Sequence, residues 1–118
     1  MASTGPDRHT VMAVLDRDGY QCVICGKAAE GERGVNWVLH HRRPRAMGGT
    51  SRADKNSPAN LLTLCSPCHV EIESRRQWAV DNGWIVHQAF DPAAVAVSVQ
   101  RRNRFVYLTA DGTYEEAA

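Results

Sequence analysis

Between Leu39 and Val70 the chain opens LHHRRPRAMGG (residues 39–49) and closes NLLTLCSPCHV (residues 60–70). The alternating, β-forming run Val35-Asn36-Trp37-Val38-Leu39-His40 predicts a strand leading into this stretch. Pro44 cannot continue a paired central strand, so residues 44–60, with Gly48-Gly49 and Pro58, read as a long loop. A structureless loop of that length in a compact domain is usually functional. Leu61-Leu62-Thr63-Leu64 is short and apolar and reads as the return strand. Ser66-Pro67 suits a helix start, serine as N-cap and proline in the first turn, with the helix running to about Val80 and Gly83 ending it. Strand, long loop, strand and helix make a ββα unit.

The flanks of that unit carry cysteines. Cys22-Val23-Ile24-Cys25-Gly26 and Cys65-Ser66-Pro67-Cys68 are two Cys-x-x-Cys turns. One such pair alone could be redox-active. Two supply four thiolates, the ligand set of a tetrahedral structural zinc. His69, beside Cys68, offers an alternative fourth ligand. No basic and then apolar leader opens the sequence, and no apolar run is long enough to span a bilayer. A cytosolic location is therefore expected, and a reducing compartment favours metal over disulfides. Residues 26–64 between the knuckles exceed what a simple zinc ribbon needs, so the clasp is expected to hold an insert at both ends.

Outward from this centre, Val11, Met12, Val14 and Leu15 follow helical spacing and predict a helix over 7–19, opened by Asp7 and ended by Gly19. Residues 1–6 are expected to fray. After Gly83, Trp84–Gln88 and Val95–Val99 read as strands separated by an Asp91-Pro92 turn. Phe105–Leu108 and Thr113-Tyr114 flank Asp111-Gly112, a hairpin dipeptide. The expected architecture is α+β in a single domain over residues 1–118. Its parts are an N-terminal helix, a zinc clasp with the ββα core over 20–82, and a β-rich extension over 83–118.

A net charge of +1 does not mark a nucleic-acid binder; the charge distribution is more telling. Between His40 and Lys55 lie Arg42, Arg43, Arg45, Arg52 and Lys55, with only Asp54 against them. Guanidinium forks match phosphate oxygens, which makes Arg42, Arg43, Arg45 and Arg52 candidate phosphate contacts; a solvated loop face is the plainer alternative. Phosphodiester hydrolysis needs a base, a divalent metal and cationic groups. His41 could deprotonate water, His40 and His69 could ligate a metal, and Asn60 could orient the base or its loop. Strand alternation turns His40 and His41 to opposite faces unless the strand ends or bulges near Pro44. A lone His-His pair is structural more often than catalytic; His69, beside a zinc ligand at a helix start, is less easily dismissed.

Together, Cys22-x-x-Cys25, His40-His41, Gly48-Gly49 and the run from Asn60 to Cys65-x-x-Cys68-His69 resemble the HNH endonuclease family. The likeness spans about residues 18–76 and is to the four-cysteine, zinc-bearing branch common in phage and bacterial proteins. It implies a small ββα-metal (His-Me finger) core with a structural four-cysteine zinc clasp, and a metal-dependent DNA endonuclease. It also implies one catalytic divalent ion (Mg2+, Mn2+, Ni2+ or Zn2+) besides the structural Zn2+. His40 and His69 fall on its catalytic-metal ligands, His41 on its general base and Asn60 on its middle asparagine. Some members carry a further histidine one helical turn after the last; here that position is Glu73. A carboxylate there can reach the same ion and favours Mg2+ or Mn2+, although a solvent-facing glutamate fits the helix equally well. Two other functions compete: a non-catalytic zinc-dependent DNA-binding module, and an accessory protein of phage packaging or assembly, partnered by packaging proteins in a host cytoplasm.

Overall fold

A computed structural model describes residues 5–44 and 54–117. Gly48-Gly49, Arg45, Arg52 and the expected fraying of residues 1–4 lie outside the described residues. The first helix, α1, spans Arg8–Asp18. The Asp7 side chain accepts from Thr10 N at 2.8 Å, and Gly19 closes the helix in the left-handed conformation, so both ends fall where the sequence places them.

The central hairpin pairs β1 (Trp37–His41) with β2 (Leu61–Cys65), antiparallel, with His40 opposite Leu62 and His41 opposite Leu61. Every β2 residue is buried, because the hairpin is covered on both faces. Trp37, Leu39 and Leu61 pack with Val14 and Leu15 of α1. Leu62 and Leu64 face the larger core with Ile72, Trp84 and Val97. The period-two alternation of a strand thus sends Leu61 to one core and Leu62 and Leu64 to the other.

The expected single helix after β2 is two: α2 (Ser66–Ser74) and α3 (Arg76–Asp81), broken at Arg75, whose backbone leaves helical geometry (φ −128°, ψ 62°). Beyond the break, Trp78 meets Trp84 edge-on at 4.7 Å. Ser66 does not cap α2; it is the first helical residue, and its hydroxyl donates to the Val35 carbonyl at 2.6 Å. The cysteine-bearing turns, the hairpin and α2 form a small α+β arrangement compatible with a ββα-metal core.

At the C-terminal side, β3 (Val97–Val99), β4 (Arg104–Leu108) and β5 (Tyr114–Glu116) form an antiparallel sheet in that order. The expected strand over 84–88 does not form. Trp84, Ile85 and Val86 are buried as irregular chain whose polar groups go elsewhere. Trp84 Nε1 donates to Ser98 O (2.9 Å) and Val86 N to Arg42 O (2.8 Å). Apolar β-formers here fill the core without a strand neighbour. Gly83 makes the turn before them possible: its φ is +75°, and a Cβ would lie 2.0 Å from the Ala96 carbonyl oxygen. No helix among the described residues is long and apolar enough to cross a membrane.

One buried ionic network ties the outer elements to the hairpin. The fully buried Asp18 accepts from Arg17 Nε (2.9 Å), Thr63 N (3.0 Å) and the Tyr114 hydroxyl (2.7 Å). Arg17 also donates to the Pro58 and Leu61 carbonyls. Each charge is paired and its remaining bonding capacity is used, the condition under which a buried pair is tolerated. Asp18→Ala should cost about 3–5 kcal/mol in urea unfolding, because it leaves a buried guanidinium without its anion. A loss below about 1 kcal/mol, the value of an exposed pair, would refute this role.

Candidate functional site

The two knuckles bring their thiols together. Gly26 N donates to Cys22 O (2.9 Å) and Cys22 N to Lys27 O (2.9 Å), folding the first pair into a tight turn. The second pair spans the end of β2 and the first turn of α2, so hairpin and helix aim Cys65 and Cys68 at it. The four Sγ atoms lie within 4.8 Å of one another, and Cys25 and Cys65 Sγ are 3.6 Å apart. A disulfide would need about 2.05 Å. A tetrahedron of four sulfurs about 2.3 Å from an ion has edges of about 3.8 Å, so the set fits a metal.

His69 follows Cys68 in the same helical turn but joins a different group. Ligand atoms of His40, His69 and Glu73 lie within 4.8 Å of one another, with the two imidazole centroids 5.3 Å apart. Cys68 stays with the other cysteines, so the exchange of His69 for Cys68 is not realised. Glu73, one turn after His69, belongs to the cluster and also accepts from Arg76 Nη1 at 3.1 Å.

His40 lies on the β1 face turned to α2 and is 6% exposed. Its Nε2 is 2.7 Å from the Trp84 carbonyl oxygen. A carbonyl only accepts, so Nε2 carries the proton and Nδ1 keeps the lone pair. Burial, opposed only in part by that bond, lowers the His40 pKa to about 4, leaving the ring neutral at neutral pH and able to ligate.

Strand alternation turns His41 the other way, yet both histidines line one cavity of about 370 Å³ with His69, Glu73, Arg76, Pro44 and Ile85. His41 is the last residue of β1, and the chain bends at Arg42 and Arg43 immediately after it. The strand ends where convergence requires. His41 Nε2 lies 2.9 Å from Asn56 Oδ1, so it donates to the amide oxygen and its Nδ1 carries the lone pair. Asn56 has no distinguishing mark in the sequence; only its position on the far side of the long loop reveals the pairing.

Asn60 is 2% exposed and is not in the cavity lining. Its Oδ1 accepts from Arg43 N (2.9 Å) and its Nδ2 donates to Lys55 O (2.8 Å). It ties Arg43, just after β1, to Lys55.

Two expected phosphate contacts are corrected. Arg42 is fully buried, and its guanidinium donates to the carbonyls of Gly83, Ala59, Pro92 and Val95 at 2.8–2.9 Å. Burial, with Arg17 adding repulsion, lowers its pKa to about 9, still well above neutral, so it remains a cation solvated by backbone oxygens. Arg43 is 6% exposed, donating to Phe90 O (3.0 Å) and ion-paired with Asp54. Both cations are consumed by the fold and have no fork to offer a phosphate. Arg45 and Arg52 lie outside the described residues.

The HNH endonuclease family model matches residues 22–75, from the first cysteine to the end of α2. No curated protein and no solved structure matches the chain.

If Arg42 is a scaffold, Arg42→Ala should lower unfolding free energy by about 3 kcal/mol or more, since it strands buried carbonyls. In Arg42→Gln, which removes the charge, the salt dependence of DNA binding by the folded protein should match wild type while urea stability falls. A stable Gln variant with a flatter salt dependence would restore the phosphate role.

Proposed function

We propose, from the match of residues 22–75 to the HNH endonuclease family model, that the protein is a metal-dependent DNA endonuclease hydrolysing phosphodiester bonds. One observation carries this: two histidines and a carboxylate converge within ligating distance beside a further histidine whose Nδ1 carries the lone pair, all lining one cavity. A zinc-dependent DNA-binding module would have use for the cysteines but none for this second cluster.

In this scheme Cys22, Cys25, Cys65 and Cys68 hold a structural Zn2+. His40, His69 and Glu73 hold a catalytic divalent ion. Two neutral imidazoles and one carboxylate suit Mn2+, Ni2+ or Zn2+, and the carboxylate extends the range to Mg2+. When bound, such an ion supplies positive charge to the oxygens of the phosphodiester. The chain supplies the rest. His41 takes a proton from water at Nδ1. Asn56 holds its ring and goes on accepting from Nε2 after the ring is charged, so no hydrogen bond is lost at the proton transfer. Trp84 O fixes the His40 ring in the tautomer that ligates. Asn60 fixes the loop that carries Asn56.

His41→Ala should keep the fold and bind Mn2+ nearly as wild type while losing plasmid cleavage roughly 10²–10⁴-fold. His40→Ala should lose cleavage and weaken Mn2+ together, and Asn56→Ala should lower cleavage with Mn2+ affinity unchanged. Calorimetric Mn2+ titration beside a plasmid assay separates these. A His41→Ala chain that no longer binds Mn2+, with His40→Ala active, would reverse the two assignments.

Cys65→Ala should release the structural metal and unfold the chain, because a structural zinc contributes folding free energy outright. Elemental analysis finding one tightly bound zinc in a normally folded Cys65→Ala chain would refute the clasp.

A further inference from the structure

Arg42 and Arg43 are committed to the fold, and among the described residues another cation faces the cavity. We propose that this cation, Arg76, binds the scissile phosphate beside the His40–His69–Glu73 cluster. This rests on the nuclease assignment and adds a substrate-contacting residue to it.

Among the described residues, Arg76 is the one arginine or lysine lining the cavity that His40, His41, His69 and Glu73 share. Its side chain is 55% exposed, so its guanidinium is hydrated and available, unlike those of Arg42 and Arg43. Within the protein its Nη1 donates to Glu73 Oε2 at 3.1 Å. An exposed pair of this kind contributes little to stability and is readily exchanged. Glu73 belongs to the ligand cluster. A carboxylate that turns to a divalent ion gives up its hold on the guanidinium, whose fork can then take two phosphate oxygens. The carboxylate therefore parks the cation at the site until metal and phosphate arrive.

The helix break explains how two adjacent arginines serve different ends. Arg75 stands over the Trp78 ring at 4.2 Å and pairs with Glu71 at 2.9 Å, and it does not line the cavity. Arg76, the first residue of α3, does. It also lines the adjoining apolar groove with Pro44, Val80, Ile85 and Val86, so it stands where a nucleotide's phosphate would leave its sugar and base against carbon. Charge develops on the phosphate oxygens as water attacks, and a preorganised guanidinium binds that state more tightly than the ground state.

The test compares Arg76→Ala, Arg76→Lys and the neighbouring Arg75→Ala in the full zinc-loaded chain. DNA binding to a short duplex is measured against salt in a His41→Ala background, Mn2+ binding by calorimetry, and cleavage with His41 intact. Arg76→Ala should flatten the slope of log affinity against log salt by about 0.9 and lower cleavage roughly 10²-fold. Its Mn2+ affinity should equal or exceed that of wild type. Arg76→Lys should recover most of the salt slope and part of the cleavage, while Arg75→Ala should match wild type in all three. A wild-type chain that binds and cuts DNA, with Arg76→Ala indistinguishable from Arg75→Ala or altered only in Mn2+ affinity, overturns the assignment of Arg76 alone. A wild-type chain that neither binds nor cuts DNA overturns the nuclease assignment and this one with it.

Discussion

The buried guanidinium of Arg42 is the constraint on which the rest depends. A cation moved out of water without a partner is expensive, and the partners it finds here are not carboxylates. Four backbone carbonyls solvate it instead, from the turn after α3, the turn before β2, and the chain before β3. Those oxygens also needed donors, because irregular buried chain has no ladder to satisfy them. One side chain thus meets the polar demand of three loops. Its own backbone adds two more ties, Arg42 N to Asn60 O and Val86 N to Arg42 O, both at 2.8 Å.

The consequence for the site is positional. Arg42 directly follows His41, so anchoring it fixes where β1 stops and how His41 leaves the strand. Val86 and Trp84 are held against the same segment, which places the Trp84 carbonyl on His40. Asn60 then fastens Arg43 to Lys55, and Asn56, one residue further, reaches His41. Scaffold bonds and site bonds alternate along a few residues of chain, which is why arginines that read as ligand contacts serve the fold.

How much of this the sequence carries depends on how local the cause is. Asp7 and Gly19 bound α1 because caps act within a few residues, and the Asp111-Gly112 turn sits between β4 and β5 for the same reason. The cysteine turns and the His40/His69 grouping are legible because metal-ligand spacing is itself a local pattern, resting on a hairpin and a helix that the hydrophobic period announces. The destiny of an arginine is not local. Nothing near Arg42 in sequence marks it for burial; what decides its place is carbonyls as distant in the chain as Val95. Trp84–Val86 have strand composition, but a strand needs a partner edge, and the core took their side chains without one. Asn56 and Arg76 carry no motif at all. Their positions, Asn56 on His41 and Arg76 in the cavity lining, follow from where a loop and a broken helix carry them.

The two adjacent histidines divide their work by environment. Each donates from Nε2 to an oxygen, and each keeps its Nδ1 lone pair. His40 gives its proton to a backbone carbonyl from a buried position, where becoming a cation is opposed by desolvation and by neighbouring positive groups. That suits a ligand, which must stay neutral whether or not the ion is bound. His41 donates to the Asn56 amide oxygen and is only half-buried, so solvent reaches its ring. That suits the proposed base, which must change charge in every cycle. Consecutive histidines thus differ in the one respect that the proposed roles draw on: the His41 ring reaches solvent and the His40 ring the protein interior.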